Sequence, residues 1–209
     1  MDHLQQLIIR YPCLKTIAND IFNSFEIIKD SFSNGCKLLI AGNGGSASDA
    51  EHISGELMKN FVIKRKLPIS IKNDISKFNP DIANYLIPRL QPGLPVISLS
   101  NHSSINTACI NDIDGDIIFA QQLFCYGKEG DVFFGISTSG NSKNVLYAAA
   151  VAKCKKITTI ALTGNDGGRL KSFSDISIIV PETETYKIQE LHLPIYHCLC
   201  LMLEEHFYG

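Results

Sequence analysis

The sequence has little charge of either sign to spare. Its 19 Lys and Arg residues stand against 21 Asp and Glu, for a formal net charge of −2. A near-neutral balance excludes a broad basic surface of the kind that binds nucleic acid or an acidic membrane. The local basic cluster Lys64-Arg65-Lys66 reads as a solvated turn. No apolar run approaches the roughly 20 residues of a membrane span. The start, Met1-Asp2-His3-Leu4-Gln5-Gln6, has neither a basic leader nor a continuous apolar stretch, so it does not read as a signal peptide. The 7 cysteines are odd in number and scattered. That pattern suits reduced thiols in a cytoplasm better than a disulfide framework. Cys198 and Cys200 diverge on a helix and read as small core residues. Internal repeats and low-complexity tracts are absent as well.

What is present is an ordinary globular composition, with 45% hydrophobic and 19% charged residues. A chain of 209 residues is most simply one domain with a sizeable core. Residues 1–35 read as helices, with Leu4, Leu7, Ile8, Leu14, Ile17, Ile21, Phe22, Phe25 and Ile28 at helical spacing. Asn34-Gly35 ends that segment. The rhythm then changes. Short continuous apolar runs at Lys37 to Ala41, Pro95 to Leu99, Asp131 to Ile136, Ile157 to Leu162 and Ile176 to Val180 read as strands covered on both faces. Helical patterns over 46–60, 104–125 and 142–154 separate most of them, and a long helix from about Tyr186 to Phe207 closes the chain. This alternation predicts an α/β fold with a doubly wound, five-stranded parallel sheet. Ligands of such sheets bind beyond the carboxyl ends of the strands. Residues 63–94 fit least well. They are lysine-rich and punctuated by Pro68, Pro80, Pro88 and Pro92. They read as an inserted excursion, with a short helix over 81–90, that overhangs a neighbouring site.

The first strand runs into Gly42-Asn43-Gly44-Gly45-Ser46, a glycine turn that opens a helix. His52 and Glu56 follow on that helix at i, i+4 and so share one face. Such a pair holds a divalent metal or supplies a base and its partner. Asp49 and Glu51 complement the helix dipole and need no catalytic role. The third strand leads into Ser137-Thr138-Ser139-Gly140-Asn141-Ser142. Hydroxyls and free backbone amides converging on a helix N-terminus form a phosphate site, and their number exceeds what one N-cap needs. No Gly-Lys-Ser/Thr ending marks a nucleoside triphosphate loop. Thr163-Gly164-Asn165-Asp166-Gly167-Gly168 follows the fourth strand, either as a tight turn or as a ligand contact. On the last helix, Gln189 and His197 are eight apart, about 12 Å along the axis and roughly 80° around it. Pro194 lies between them, where a kink is expected. A metal shared by these two is geometrically demanding.

These motifs resemble the sugar-isomerase (SIS) domain family, and within it the phosphoheptose isomerases. Gly42 to Ser46, His52-x-x-x-Glu56, Asn111-Asp112, Ser137 to Ser142, Leu162 to Gly168 and Ile188-Gln189-Glu190-x-His192 occur in the family's order, over most of residues 10–205. The resemblance implies a cytoplasmic homotetramer with active sites at subunit interfaces. Its substrate would be a phosphorylated sugar, sedoheptulose 7-phosphate, converted to D-glycero-D-manno-heptose 7-phosphate for surface glycans. Carried over by motif, Glu56 and His197 are the acid/base pair. His52, Glu56, Gln189 and His197 match the zinc ligands of the family. Ser137, Thr138, Ser139 and Ser142 hold the phosphate. Asn43, Gly44, Gly45, Asn111, Asp112, Gln189 and Glu56 contact the sugar.

The residue types suit aldose–ketose exchange. A partly buried carboxylate removes a proton beside a carbonyl, and a histidine or metal stabilises the enediol. The chain departs from the family's pattern at Tyr186, where an acidic residue is usual, at Asn60, where an arginine is usual, and in the length of 63–94. These departures bear on substrate identity. An isomerase of another sugar phosphate is therefore an alternative. So is a non-catalytic tetrameric SIS module like the branch that associates with the bacterial replication initiator. Retention of Glu56 and His197 favours catalysis.

Overall fold

A computed structural model describes residues 2–209. Helix α1 (His3–Arg10) is capped by the Asp2 carboxylate, which accepts from the Gln5 amide. A 3-10 turn, Pro12–Ile17, leads to α2 (Ala18–Ser33). Strand β1 (Leu38–Ala41) enters α3 (Gly45–Met58). The excursion carries α4 (Ile69–Phe78) and α5 (Pro80–Leu86). Then come β2 (Val96–Ser98), α6 (Ser103–Asp112), α7 (Ile118–Tyr126), β3 (Val132–Ile136) and α8 (Lys143–Cys154). Strands β4 (Thr158–Thr163) and β5 (Ile176–Ile179) precede the closing helix α9 (Thr185–Tyr208), which runs unbroken through Pro194.

All five strands are parallel, in the order β2-β1-β3-β4-β5. Leu38 pairs with Val96 on one side and Val132 on the other. The chain therefore winds outward in both directions from β1. The carboxyl ends of β1 and β3 flank the switch point where such sheets bind ligands. Alternate side chains feed opposite faces. Leu38, Ile40, Phe134 and Ile160 join the core under α2, α3 and α9. Leu39, Phe133 and Ala161 join the core under α7 and α8. Both clusters are buried, which is why each strand reads as an unbroken apolar run.

The helix expected over 104–125 is two helices. It breaks after Asp112, where Ile113 leaves helical backbone and Asp114 caps a short turn at Gly115–Ile117 by accepting from the Asp116 amide. The excursion also holds two helices rather than one. Asn79 accepts from the Asp81 and Ile82 amides and starts α5 with Pro80 in its first turn. Helix α4 buries none of its residues, and it packs on α5. Arg65, expected in a solvated basic turn, is buried. Its guanidinium pairs with Glu204 at 2.9 Å and reaches the carbonyls of Leu57, Glu56 and Pro92. Glu204 also accepts from the amides of Phe61, Val62 and Ile63. This clasp fastens both ends of the excursion to the end of α3 and to α9. Cys198 and Cys200 are buried free thiols, as the sequence implied. Among the described residues, no helix is long and apolar enough to cross a membrane.

Candidate active site

The glycine turn depends on backbone that only glycine tolerates well. Gly44 sits at φ 54°, ψ −122°. Gly45 is pressed by the Gln189 side-chain amide, which occupies the place of a Cβ. Any larger residue at 45 displaces Gln189. Asn43 pairs reciprocally with Asn144, each amide donating to the other's oxygen at 2.9 Å. That pair ties the turn after β1 to the start of α8, across the switch point. Asn144 carried no signal in the sequence beyond its place two residues after Ser142.

The hydroxyl loop read as a phosphate site is built as a cradle. Ser137 is buried, Thr138 half-buried and Ser139 exposed. The Ser137 and Ser142 hydroxyls meet at 3.1 Å. Ser142 occupies the N-cap position of α8 but makes no side-chain cap, and the Val145 amide donates to Asn144 instead. The Ser142 hydroxyl is therefore left facing Ser137 rather than spent on capping. The turn after β4 backs this loop. A Cβ on Gly140 would strike the Gly167 carbonyl, Leu170 donates its amide to the Gly140 carbonyl, and Arg169 donates its amide to Asn141. These contacts give the 163–168 turn a supporting role.

The second cluster lies farther along α3, where it runs beside α9. The His52 imidazole places Nε2 3.3 Å from Glu56 Oε1, and the Lys59 ammonium approaches Glu56 Oε2 at 3.2 Å. Glu56 is largely covered, its side chain 15% exposed. The His197 ring stands against His52, with centroids 5.0 Å apart, and against Phe61. His197 Nε2 is buried and meets no partner. Burial pushes the His197 pKa below its usual value, the charges of His52 and Arg10 lower it further, and Glu56 pulls it back up. Tyr196, buried beside it, donates its hydroxyl hydrogen to Asp49 at 3.1 Å and lies 3.0 Å from His52 Nδ1. Nothing in the spacing of an apolar helix singled out Tyr196, and Asp49 was read as a dipole partner alone.

The structure brings Glu56, His52 and His197 together. It brings Asn43, Gly44, Gly45 and Gln189 together beside the loop of Ser137, Thr138, Ser139 and Ser142. It does not unite the two groups within one chain. Glu56 lies eleven positions after Gly45 along α3, a rise of about 16 Å. Gln189, against Gly45, is correspondingly distant from His52, about 10 Å along the same helix. Asn111 and Asp112 are exposed at the end of α6, and Asn111 donates to Asp112 at 2.7 Å. No hydrogen bond links them to either cluster among the described residues. The donor types expected for zinc are present, and the orphaned His197 Nε2 is one of them. Yet among the described residues no group of three or more His, Cys, Asp or Glu side chains is placed to hold a metal ion. Within one chain the described residues do not form a metal cage.

Comparison with known proteins gives the family. The SIS domain family model matches residues 75–164. The phosphoheptose isomerase of Helicobacter pylori (strain Shi470) is 38% identical over 194 residues, covering 93% of this chain and 88% of its own. Phosphoheptose isomerase 2 of Campylobacter jejuni is 41% identical, covering 89% of this chain and 79% of its own. The solved structure of phosphoheptose isomerase GmhA from Neisseria gonorrhoeae superposes with a TM-score of 0.76 at 29% identity, over 97% of this chain and 95% of that one.

Proposed function

This chain belongs to the phosphoheptose isomerase family of SIS-domain proteins, and from that premise we propose that it interconverts sedoheptulose 7-phosphate and D-glycero-D-manno-heptose 7-phosphate. The observation that carries the chemistry is the covered Glu56 carboxylate beside the partnerless His197 nitrogen. In the ketose-to-aldose direction, Glu56 takes a proton from C1 while His197 gives one to the C2 oxygen, and a 1,2-enediol forms. His197 then takes the proton of the C1 hydroxyl and Glu56 returns its proton to C2. No electron leaves the sugar, and both residues end as they began. A lowered pKa keeps His197 neutral near pH 7, so its imidazole is able to act in both directions. The Ser137–Ser142 cradle takes the phosphate, whose binding energy orients the reacting carbons.

A homotetramer in the cytoplasm completes the reading. The roughly 16 Å of helix between the glycine turn and Glu56 exceeds the extended span from C2 to the phosphorus of a heptose 7-phosphate. That separation supports a site assembled across a subunit interface. The alternative of a non-catalytic module is not favoured, because the relatives are named as isomerases.

The test is direct. Purified protein incubated with sedoheptulose 7-phosphate is expected to give the aldose by NMR. Absence of turnover, with conversion of a different ketose phosphate, moves the substrate assignment elsewhere. Turnover lost to a chelator would add a metal, held by residues of more than one subunit, to the Glu56–His197 chemistry. A monomer in sedimentation with full activity removes the shared site.

A further inference from the structure

Helix α7 buries Phe119, Ala120, Gln122 and Leu123. Three are apolar, and the fourth is a glutamine only 2% exposed. A buried amide is costly unless its hydrogen bonds are made, and those of Gln122 are. Its nitrogen donates to the Leu99 and Ile118 carbonyls, each at 3.0 Å, and to Asn106 Oδ1 at 2.8 Å. Its oxygen meets His102 Nδ1. Turned over, the amide would set its oxygen against two backbone carbonyls, so its orientation is fixed. An amide oxygen only accepts, so His102 Nδ1 carries a hydrogen.

The same direction of donation runs on toward the glycine turn. Asn106, on α6, turns its oxygen to Gln122 and so has its amide hydrogens free to donate elsewhere. Its nitrogen donates to the Ser100 carbonyl at 3.2 Å, and the Ser100 hydroxyl donates to the Gly42 carbonyl at 3.0 Å. That carbonyl shares a planar peptide unit with the Asn43 nitrogen, so the direction in which it is held sets where Asn43 begins. Strand β1 lies between β2 and β3. Its turn is therefore tied on both sides, to α8 by the Asn43–Asn144 pair and to the loop after β2 by Ser100.

We propose that Gln122 is a positioning residue for the glycine turn. Through Asn106 and Ser100 it holds the Gly42 carbonyl, and with it the backbone of Asn43, Gly44 and Gly45 that is expected to contact the sugar. Its burial keeps the amide itself away from substrate. The kinetic consequence rests on the isomerase reading, but the ordering of the turn does not.

The experiment uses the full chain. Ser100→Ala cuts the last link and leaves the Gln122 amide satisfied. Amide hydrogen exchange over 42–48 is expected to quicken by about fivefold, the effect of one neutral hydrogen bond. KM for sedoheptulose 7-phosphate should rise by about the same factor, with kcat within about twofold. Ser100→Thr, which keeps the hydroxyl, should restore both. Gln122→Leu should reproduce both changes at least as strongly, and the double variant should add nothing to it, because the links act in series. Should Gln122→Leu fail to fold, Asn106→Ala cuts the chain between the same amide and the turn and takes its place. The His102 ring nitrogens, labelled with nitrogen-15 and identified by their loss in His102→Gln, should show Nδ1 bonded to hydrogen. A bare Nδ1 in wild type overturns the proposal. So does a folded Gln122→Leu or Asn106→Ala whose unfolding midpoint falls while exchange over 42–48 or KM stays at wild type, and so do additive effects in the double variant. The expected exchange pattern without any turnover in wild type would discard the substrate reading and leave the role of Gln122 standing.

Discussion

The two walls of the candidate site are built by different physics. The wall proposed for phosphate, at the ends of β1 and β3, is made of backbone, glycine and short hydroxyl side chains in two contiguous stretches, 42–46 and 137–142. Its geometry follows from tight turns, with the Asn43–Asn144 pair as a side-chain tie between the first stretch and the start of α8. The wall proposed for proton transfer is made of side chains from two helices more than a hundred residues apart in sequence. Its order comes from buried polar contacts: Tyr196 to Asp49 and His52, and Arg65 to Glu204. The difference teaches where each wall is fragile. The first fails by losing one turn, the second by losing a partner that touches no substrate.

The largest blow to the second wall is expected from Glu56→Gln. It should lower kcat by about 10² to 10⁴ while KM and unfolding midpoint stay near wild type, as measured by steady-state kinetics and urea melts. A collapse of KM alone would place Glu56 in the first wall instead.

Breaking the clasp is next. Glu204 feels two opposed influences: burial raises its pKa, while the amides of Phe61, Val62 and Ile63 and the Arg65 guanidinium lower it and prevail. Glu204→Ala leaves Arg65 buried without its partner and should cost about 3 to 5 kcal/mol in urea unfolding. The end of α3 that carries Glu56 should loosen with it.

Acid comes third. His192 is fully buried at the root of α9, and neither ring nitrogen reaches a partner at hydrogen-bond geometry. Burial lowers its pKa from 6.5 to about 4, and the nearby Thr163 backbone opposes this only in part. A depressed histidine means the unfolded chain binds more protons between those values. Stability should therefore fall as pH drops from 6.5 toward 4, by up to about 3 kcal/mol, and be flat from this source above 6.5. Denaturant melts across that window should show the slope, and His192→Leu should reduce it.

The smallest effect tests the first wall. Asn144→Ala removes one reciprocal amide pair and should cost about 1 kcal/mol, seen as a few-fold rise in KM at unchanged kcat. An equal loss in kcat would mean that the two walls are coupled through the switch point.

Much of the fold was legible before any coordinates. Each strand appears within a residue or two of its apolar run, because double burial selects continuous Val, Ile, Leu and Phe. The helix over 104–125 was misread because Asn111-Asp112-Ile113-Asp114-Gly115 lies inside an otherwise periodic segment, and its own capping breaks the run. Residues 63–94 defied reading for the opposite reason. Ile69, Phe78 and Ile82 are 75%, 94% and 53% exposed, so the periodicity there points to no core within the chain.

What the sequence determined by itself is the set of local features: five buried strands, the glycine turn, the hydroxyl loop and the i, i+4 pairing of His52 with Glu56. Each depends on neighbours in the chain, through φ, turn chemistry or helical spacing. What only the tertiary structure decided is which distant groups meet. Parallel packing of α3 against α9 sets Gly45 against Gln189 and His52 against Tyr196 and His197, and it keeps Gln189 away from His52. It also turned Arg65 from a surface charge into a buried clasp. A long polar side chain has no periodicity of its own. Its partner is chosen by the burial that folding imposes, and that burial is a property of the whole core.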